Sequence, residues 1–251
     1  MNKILTSLAS TALFISTLSA DLVKVEMGVG AWENTSSGAM TYADRLNSGS
    51  DTSNEIEDTQ GYAWVLVKHP IPILPNVRLE YVSTSSIGSA EGKFDEFIIP
   101  VGTTSKTLLD MTQYDVIPYY NLLDNTGWIT LDLGLDFKFI ESSYTADPTV
   151  GFDGYSESDT FVLPMLYLRT RLEIPSTNIG LEADVKYLSY DGSTVYDARV
   201  KVDYTLDFIP VIKPAIEVGY RMQSYDLDDG SGKNQLNSEY EGIYAGLMLR
   251  F

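Results

Sequence analysis

The chain contains no cysteine, one histidine and three tryptophans. Without cysteine there is no disulfide, no thiol nucleophile and no cysteine-linked lipid anchor. Basic residues are scarce too: 17 Lys and Arg face 35 Asp and Glu, for a formal net charge of −18. That balance argues against nucleic-acid binding, which needs basic surface to displace counterions from phosphates. Beyond the N-terminus no apolar run reaches the roughly eighteen residues that a transmembrane helix requires. A chain like this spans a membrane only as a closed barrel, the other structure that pairs all its backbone polar groups in lipid.

The N-terminus, MNKILTSLASTALFISTLSA, carries Lys3, an apolar stretch from Ala9 to Leu18 and the small residues Ser19 and Ala20. It is too short to span a bilayer and reads as a signal peptide over residues 1–20. Residues 21–251 then form one domain, since no linker divides them.

What the chain does have is alternation. In YDARVKVDYTLDF, Tyr196 to Phe208, Asp197, Arg199, Lys201, Asp203, Thr205 and Asp207 alternate with Ala198, Val200, Val202, Tyr204, Leu206 and Phe208. Strand side chains alternate faces, so one face meets an apolar medium and the other a polar one. A soluble sandwich would bury the apolar face in its core, whereas a membrane barrel turns it to lipid and the charges to its lumen. Trp128–Glu141 alternates most cleanly. The pattern recurs in Leu22–Glu33, Gln60–His69, Val77–Ile87, Leu109–Tyr120, Asp159–Glu173, Ile179–Tyr190, Val195–Phe208, Pro214–Tyr225 and Glu239–Phe251.

The connections separate by parity. Asn34–Thr59, Gly88–Leu108, Ser142–Ser158, Asp191–Thr194 and Asp226–Ser238 are mostly long and polar. Pro70–Asn76, Asn121–Gly127, Ile174–Asn178 and Ile209–Lys213 are short and rich in turn residues. Long loops at one end and tight turns at the other favour an all-β, antiparallel, up-and-down transmembrane barrel over a sandwich. Ten strands fit best, with eight or twelve as alternatives. Tyr62, Tyr81, Tyr119, Tyr120, Tyr187, Tyr196 and Tyr220 sit near inferred strand ends, where an aromatic belt would lie; ordinary strand preference explains them as well.

The residues AWVLVKHPIPILPNVRLEY (Ala63–Tyr81), YYNLLDN (Tyr119–Asn125), LDLGLDFKFI (Leu131–Ile140), PMLYLRTRLEIP (Pro164–Pro175), KYLSYDG (Lys186–Gly192), VGYR (Val218–Arg221) and YAGLMLRF (Tyr244–Phe251) carry a resemblance. The chain is similar to a family of small Gram-negative outer-membrane β-barrel proteins of unassigned molecular function. The resemblance implies an outer-membrane location, with membrane lipid and lipopolysaccharide as partners, and brings no catalytic residues. The closing Leu247, Leu249 and Phe251 are similar to the terminal signal read by the barrel-assembly machinery.

Chemistry-bearing motifs are thin, and no cofactor is implied. His69 opens the turn HPIPILPN on the inferred periplasmic side, where it reads as a turn residue, not a general base. Asp226–Asn234, DLDDGSGKN, has the composition of a calcium loop but not the EF-hand spacing.

The expected lumen face carries Arg78, Glu80, Asp132, Asp136, Lys138, Arg169, Arg171, Glu217 and Arg221, besides the charges of the two strands joined at Asp191-Gly192. That dipeptide is a strong type I′ hairpin signal. A two-residue loop there sets Lys186 opposite Asp197, Asp184 opposite Arg199 and Glu182 opposite Lys201, a ladder interleaved by sign. Side chains fill barrels of about eight strands, and ten lies just above. The expectation is therefore a non-enzymatic barrel with a plugged, charged lumen, acidic outer loops and a structural or surface-interaction role; a narrow passive channel is the alternative.

Overall fold

The computed structural model describes residues 23–44, 47–53, 56–71, 73–94, 96–126, 128–207, 212–228 and 234–251. The leader over residues 1–20, the turn residues 209–211 and the centre of DLDDGSGKN lie outside the described residues.

Among the described residues eleven strands form one antiparallel sheet: β1 (Lys24–Asp44), β2 (Asn47–Ser53), β3 (Ile56–Lys68), β4 (Asn76–Gly92), β5 (Ser105–Thr126), β6 (Ile129–Ala146), β7 (Tyr155–Glu173), β8 (Ile179–Tyr190), β9 (Ser193–Thr205), β10 (Lys213–Asp228) and β11 (Asn234–Arg250). From β3 onward each strand pairs with the next, and β11 pairs back onto β1 from Glu26↔Arg250 to Tyr42↔Asn234. The sheet is therefore closed and has no free edge, which excludes the sandwich.

The short β2 does not widen the barrel. It pairs with β1 through Ala39–Asp44 and with β4 through Gly88–Gly92. That is just above the stretch where β3 pairs with the same two strands. Thus β2 and β3 share one place in the wall, and ten strands go round it.

The strands run well past the expected boundaries at one end. Of the segments read as loops, Asn34–Thr59 is largely strand, whereas Gly88–Leu108 and Ser142–Ser158 are strand at both ends, so that their connections shrink to residues 93–104 and 147–154. Where the sheet has left the membrane no lipid demands an apolar outer face, so alternation is no longer required there and the polar sequence resembles a loop. At the other end β5 runs to Thr126, and its pairing with β6 shifts register between Asn121 and Leu123 and again before Thr126. The β8–β9 hairpin turns on Asp191 and Gly192 at φ 47° and 86°, with Tyr190 paired to Ser193. Positive φ at both central residues is what a type I′ turn demands.

The outward face is apolar. Along β6, Ile129, Leu133, Leu135, Phe137 and Phe139 are all exposed, and Leu166, Leu168, Val200, Val202, Ile216 and Val218 continue this belt across β7, β9 and β10. So continuous a patch is a surface that lipid, not water, covers. Tyr81, Tyr120, Tyr187 and Tyr220 are exposed on this side, whereas Tyr62 and Tyr119 turn into the lumen at 7% and 1% exposure. Those two do not belong to a belt. Tyr119 packs edge-on against the buried Tyr167, and Tyr62 does so against Tyr244.

Candidate functional site

The charged groups expected on the inner face are buried there: Arg78, Glu80, Asp132, Asp136, Lys138, Arg169, Arg171, Asp203, Glu217 and Arg221, together with the six residues of the β8–β9 hairpin. They form layers along the axis. Nearest the short turns, Asp203 accepts from Arg171 Nη1 and Arg250 Nη2, each at 2.7 Å. One step inward, Arg169 donates to Asp132 Oδ2 and Glu182 Oε2, each at 2.6 Å.

The hairpin register pairs Glu182 with Lys201, Asp184 with Arg199 and Lys186 with Asp197. All three pairs are within ion-pair distance, at 3.4, 2.9 and 3.4 Å. On the other side of β9, however, like charges oppose one another: Arg199 faces Arg221 and Asp203 faces Glu217. Alternation within one hairpin does not show how this is relieved. Arg221 Nη2 turns to Asp197 at 2.6 Å, and Arg199 Nη2 reaches Glu80 Oε1 of β4 at 2.6 Å.

Strands β4 and β9 stand on opposite sides of the ten-strand wall, so the Arg199–Glu80 contact crosses the lumen. Other bridges cross beside it. Arg78 Nη1 donates to Glu182 at 3.2 Å, Lys186 donates to Glu80 at 2.6 Å and also to Asp115, and Lys138, which donates to its paired neighbour Asp115 on the adjacent strand at 3.0 Å, also reaches Asp197 of β9 at 3.2 Å. Above them Gln223 Nε2 donates to Gln113 Oε1 at 2.9 Å, again between opposite strands, and Tyr225 donates to the same oxygen.

Aromatic side chains fill the space among the charges. Trp64 lies between Arg78 at 4.8 Å and Lys201 at 4.4 Å, and Trp32 lies under Arg221 at 5.3 Å. Trp64 Nε1 and Tyr62 Oη both donate to Glu217 Oε1, at 3.1 and 2.8 Å. The neighbouring strand must come close here: a Cβ on Gly28 would sit 2.5 Å from Trp64 Nε1. A cavity among Trp32, Trp64, Arg78, Arg199 and Arg221 is about 10 Å³, the size of one water.

Several members of this network do not stand out in the sequence. On β5 the inner face alternates Met111, Gln113, Asp115 and Ile117, so its polarity is mixed and Asp115 is not marked as a lumen charge. On β1 the buried Glu26, 3.8 Å from Arg250, and Trp32 escape for the same reason.

The other candidates are placed as follows. His69 stays in its turn: its Nδ1 accepts from Ile71 N at 3.2 Å, which leaves the proton on Nε2 to donate to Pro75 O at 3.0 Å. Leu247 and Leu249 face outward, and Phe251 exchanges backbone hydrogen bonds with Val25 at the seam. Among the described residues no group of His, Cys, Asp or Glu is arranged to hold a metal ion.

No protein-family model and no curated protein matches the chain. Among solved structures it is similar to the outer membrane protease OmpT of Escherichia coli, at 15% identity and a TM-score of 0.47, with 94% of this chain and 98% of that one covered. It is also similar to the translocator domain of the autotransporter NalP of Neisseria meningitidis, at 11% identity and a TM-score of 0.41, covering 97% and 95%. A third is the outer membrane protein OprG of Pseudomonas aeruginosa, at 13% identity and a TM-score of 0.32, covering 91% and 95%.

Proposed function

We propose that this chain is a non-enzymatic outer-membrane β-barrel protein of a Gram-negative bacterium, plugged at membrane level by its own side chains. In this role the barrel is a structural and surface-presenting element: lipid and lipopolysaccharide surround its apolar belt, and acidic strand extensions stand outside. The barrel-assembly machinery would receive it through Phe251, Leu249 and Leu247.

The observation that carries the reading is the Arg199–Glu80 bridge between opposite strands, within a network that leaves a cavity of about 10 Å³. A selective pore favours charges of one sign along a continuous path, whereas here the signs interleave and neutralise across the lumen. The deciding experiment is reconstitution of the purified full chain into a planar bilayer. The expected record shows no stable unitary current above the protein-free membrane. Sustained openings with defined ion selectivity would overturn the plug in favour of a narrow channel.

A further inference from the structure

Above the Gln113–Gln223 bridge the lumen changes character. On β7 the inner face passes from Arg171 and Arg169 through Tyr167 and Met165 to Leu163 and Phe161. A cavity of about 550 Å³ opens there, at the end opposite the short turns. This is within the range of about 300–1,000 Å³ typical of small-molecule sites.

One wall is aromatic. Phe97, from the β4–β5 connection, stacks on Phe94 at 4.5 Å and on Tyr155 at 4.6 Å, with Tyr144 at 6.4 Å. Asp51 of β2 is set into the same wall at 7% exposure. It accepts from Tyr144 Oη at 2.8 Å and Thr107 Oγ1 at 2.9 Å. Burial, reinforced by the Asp51 carboxylate, pushes the Tyr144 phenol up, so the phenol stays a donor and the carboxylate an acceptor. Both groups that orient Asp51 are neutral. The rim adds the exposed Glu96, Glu157 and Asp159, and among the described residues no Lys, Arg or His lines the cavity.

We propose that this outer vestibule is a binding site for small organic cations with an apolar or aromatic body. The aromatic wall supplies apolar contact and ring faces that attract a cation. A buried carboxylate without a basic partner gains from an incoming positive charge and repels an anion of the same shape. The acidic rim raises the local cation concentration and excludes fatty-acid-like anions. The site lies above the charge network and holds whether or not the barrel conducts.

The test uses the full chain in lipid nanodiscs and a matched pair of probes, (3-phenylpropyl)trimethylammonium and 4-phenylbutanoate, titrated by calorimetry against empty discs. The ammonium should bind saturably and the carboxylate at least about tenfold more weakly. Phe97→Ala should weaken the ammonium about tenfold, and Asp51→Asn should narrow the difference between the two probes. Glu157→Gln, at an exposed position, removes a rim charge while its amide oxygen can still accept from Tyr155 Oη, and should also narrow it. Heat-modifiable gel migration verifies that each variant is folded. Equal or tighter binding of 4-phenylbutanoate, no saturable ammonium binding above empty discs, or ammonium binding unchanged in folded Phe97→Ala would each overturn the proposal.

Discussion

Arg199 and Asp184 are directly opposed on β9 and β8, and Asp184 holds the guanidinium through Nε at 3.1 Å and Nη2 at 2.9 Å while that same Nη2 reaches Glu80 at 2.6 Å. One cation thus serves a local pair and a bridge across the lumen. Arg199→Glu would bring three buried carboxylates together, and breaking a buried pair costs about 3–5 kcal/mol. Adding Asp184→Arg restores an opposite pair but sets the introduced guanidinium against Arg169, the neighbour in register on β7. The double variant should therefore recover part of the loss, measured as urea unfolding midpoints of the barrel in liposomes. Equal midpoints for the single and double variants would refute the coupling.

Two carboxylates on the same face of β6 should behave oppositely. Asp132 is held by Arg169 at 2.6 Å and also by Asn121, whereas neither oxygen of the fully buried Asp136 has a hydrogen-bond partner. Asp132→Asn weakens a charge-assisted bond and should cost about 1–3 kcal/mol. Asp136→Asn removes a charge that burial penalises and should leave stability unchanged or raise it by about 1 kcal/mol. Unfolding midpoints that rank the two variants the other way round would show that Asp136 has a stabilising partner.

These contrasts also show where the sequence is legible. Within a hairpin the register follows from one turn, so Asp191 and Gly192 suffice to pair Asp184 with Arg199. Alternation assigns faces wherever lipid enforces it, as along Ile129–Phe139. It fails where the medium stops enforcing it: Asn34–Asp44 is strand, yet its run of Thr, Ser and Gly reads as loop because no lipid demands an apolar outer face there. Tyrosine suits an interface or a polar lumen equally, which is why pattern alone does not separate Tyr62 and Tyr119 from Tyr81 and Tyr120. Contacts across the barrel, such as Glu80 with Arg199, depend on strand count and shear together, and no local pattern encodes them.

A protein without cysteine makes its sidedness simple to test. Val101 and Val150 lie in the connections at the vestibule end and are highly exposed, at 104% and 81%. Ile73 lies in the turn at the opposite end and is just as open, at 84%. Exposure alone would therefore label all three in detergent. In intact cells the membrane separates them, because the long strand extensions belong outside and the short turns face the periplasm. With a membrane-impermeant maleimide, Val101→Cys and Val150→Cys should label to near completion, and Ile73→Cys only after the outer membrane is permeabilised. Labelling of Ile73→Cys in intact cells, with protection of the other two, would invert the barrel and put the aromatic vestibule on the periplasmic side.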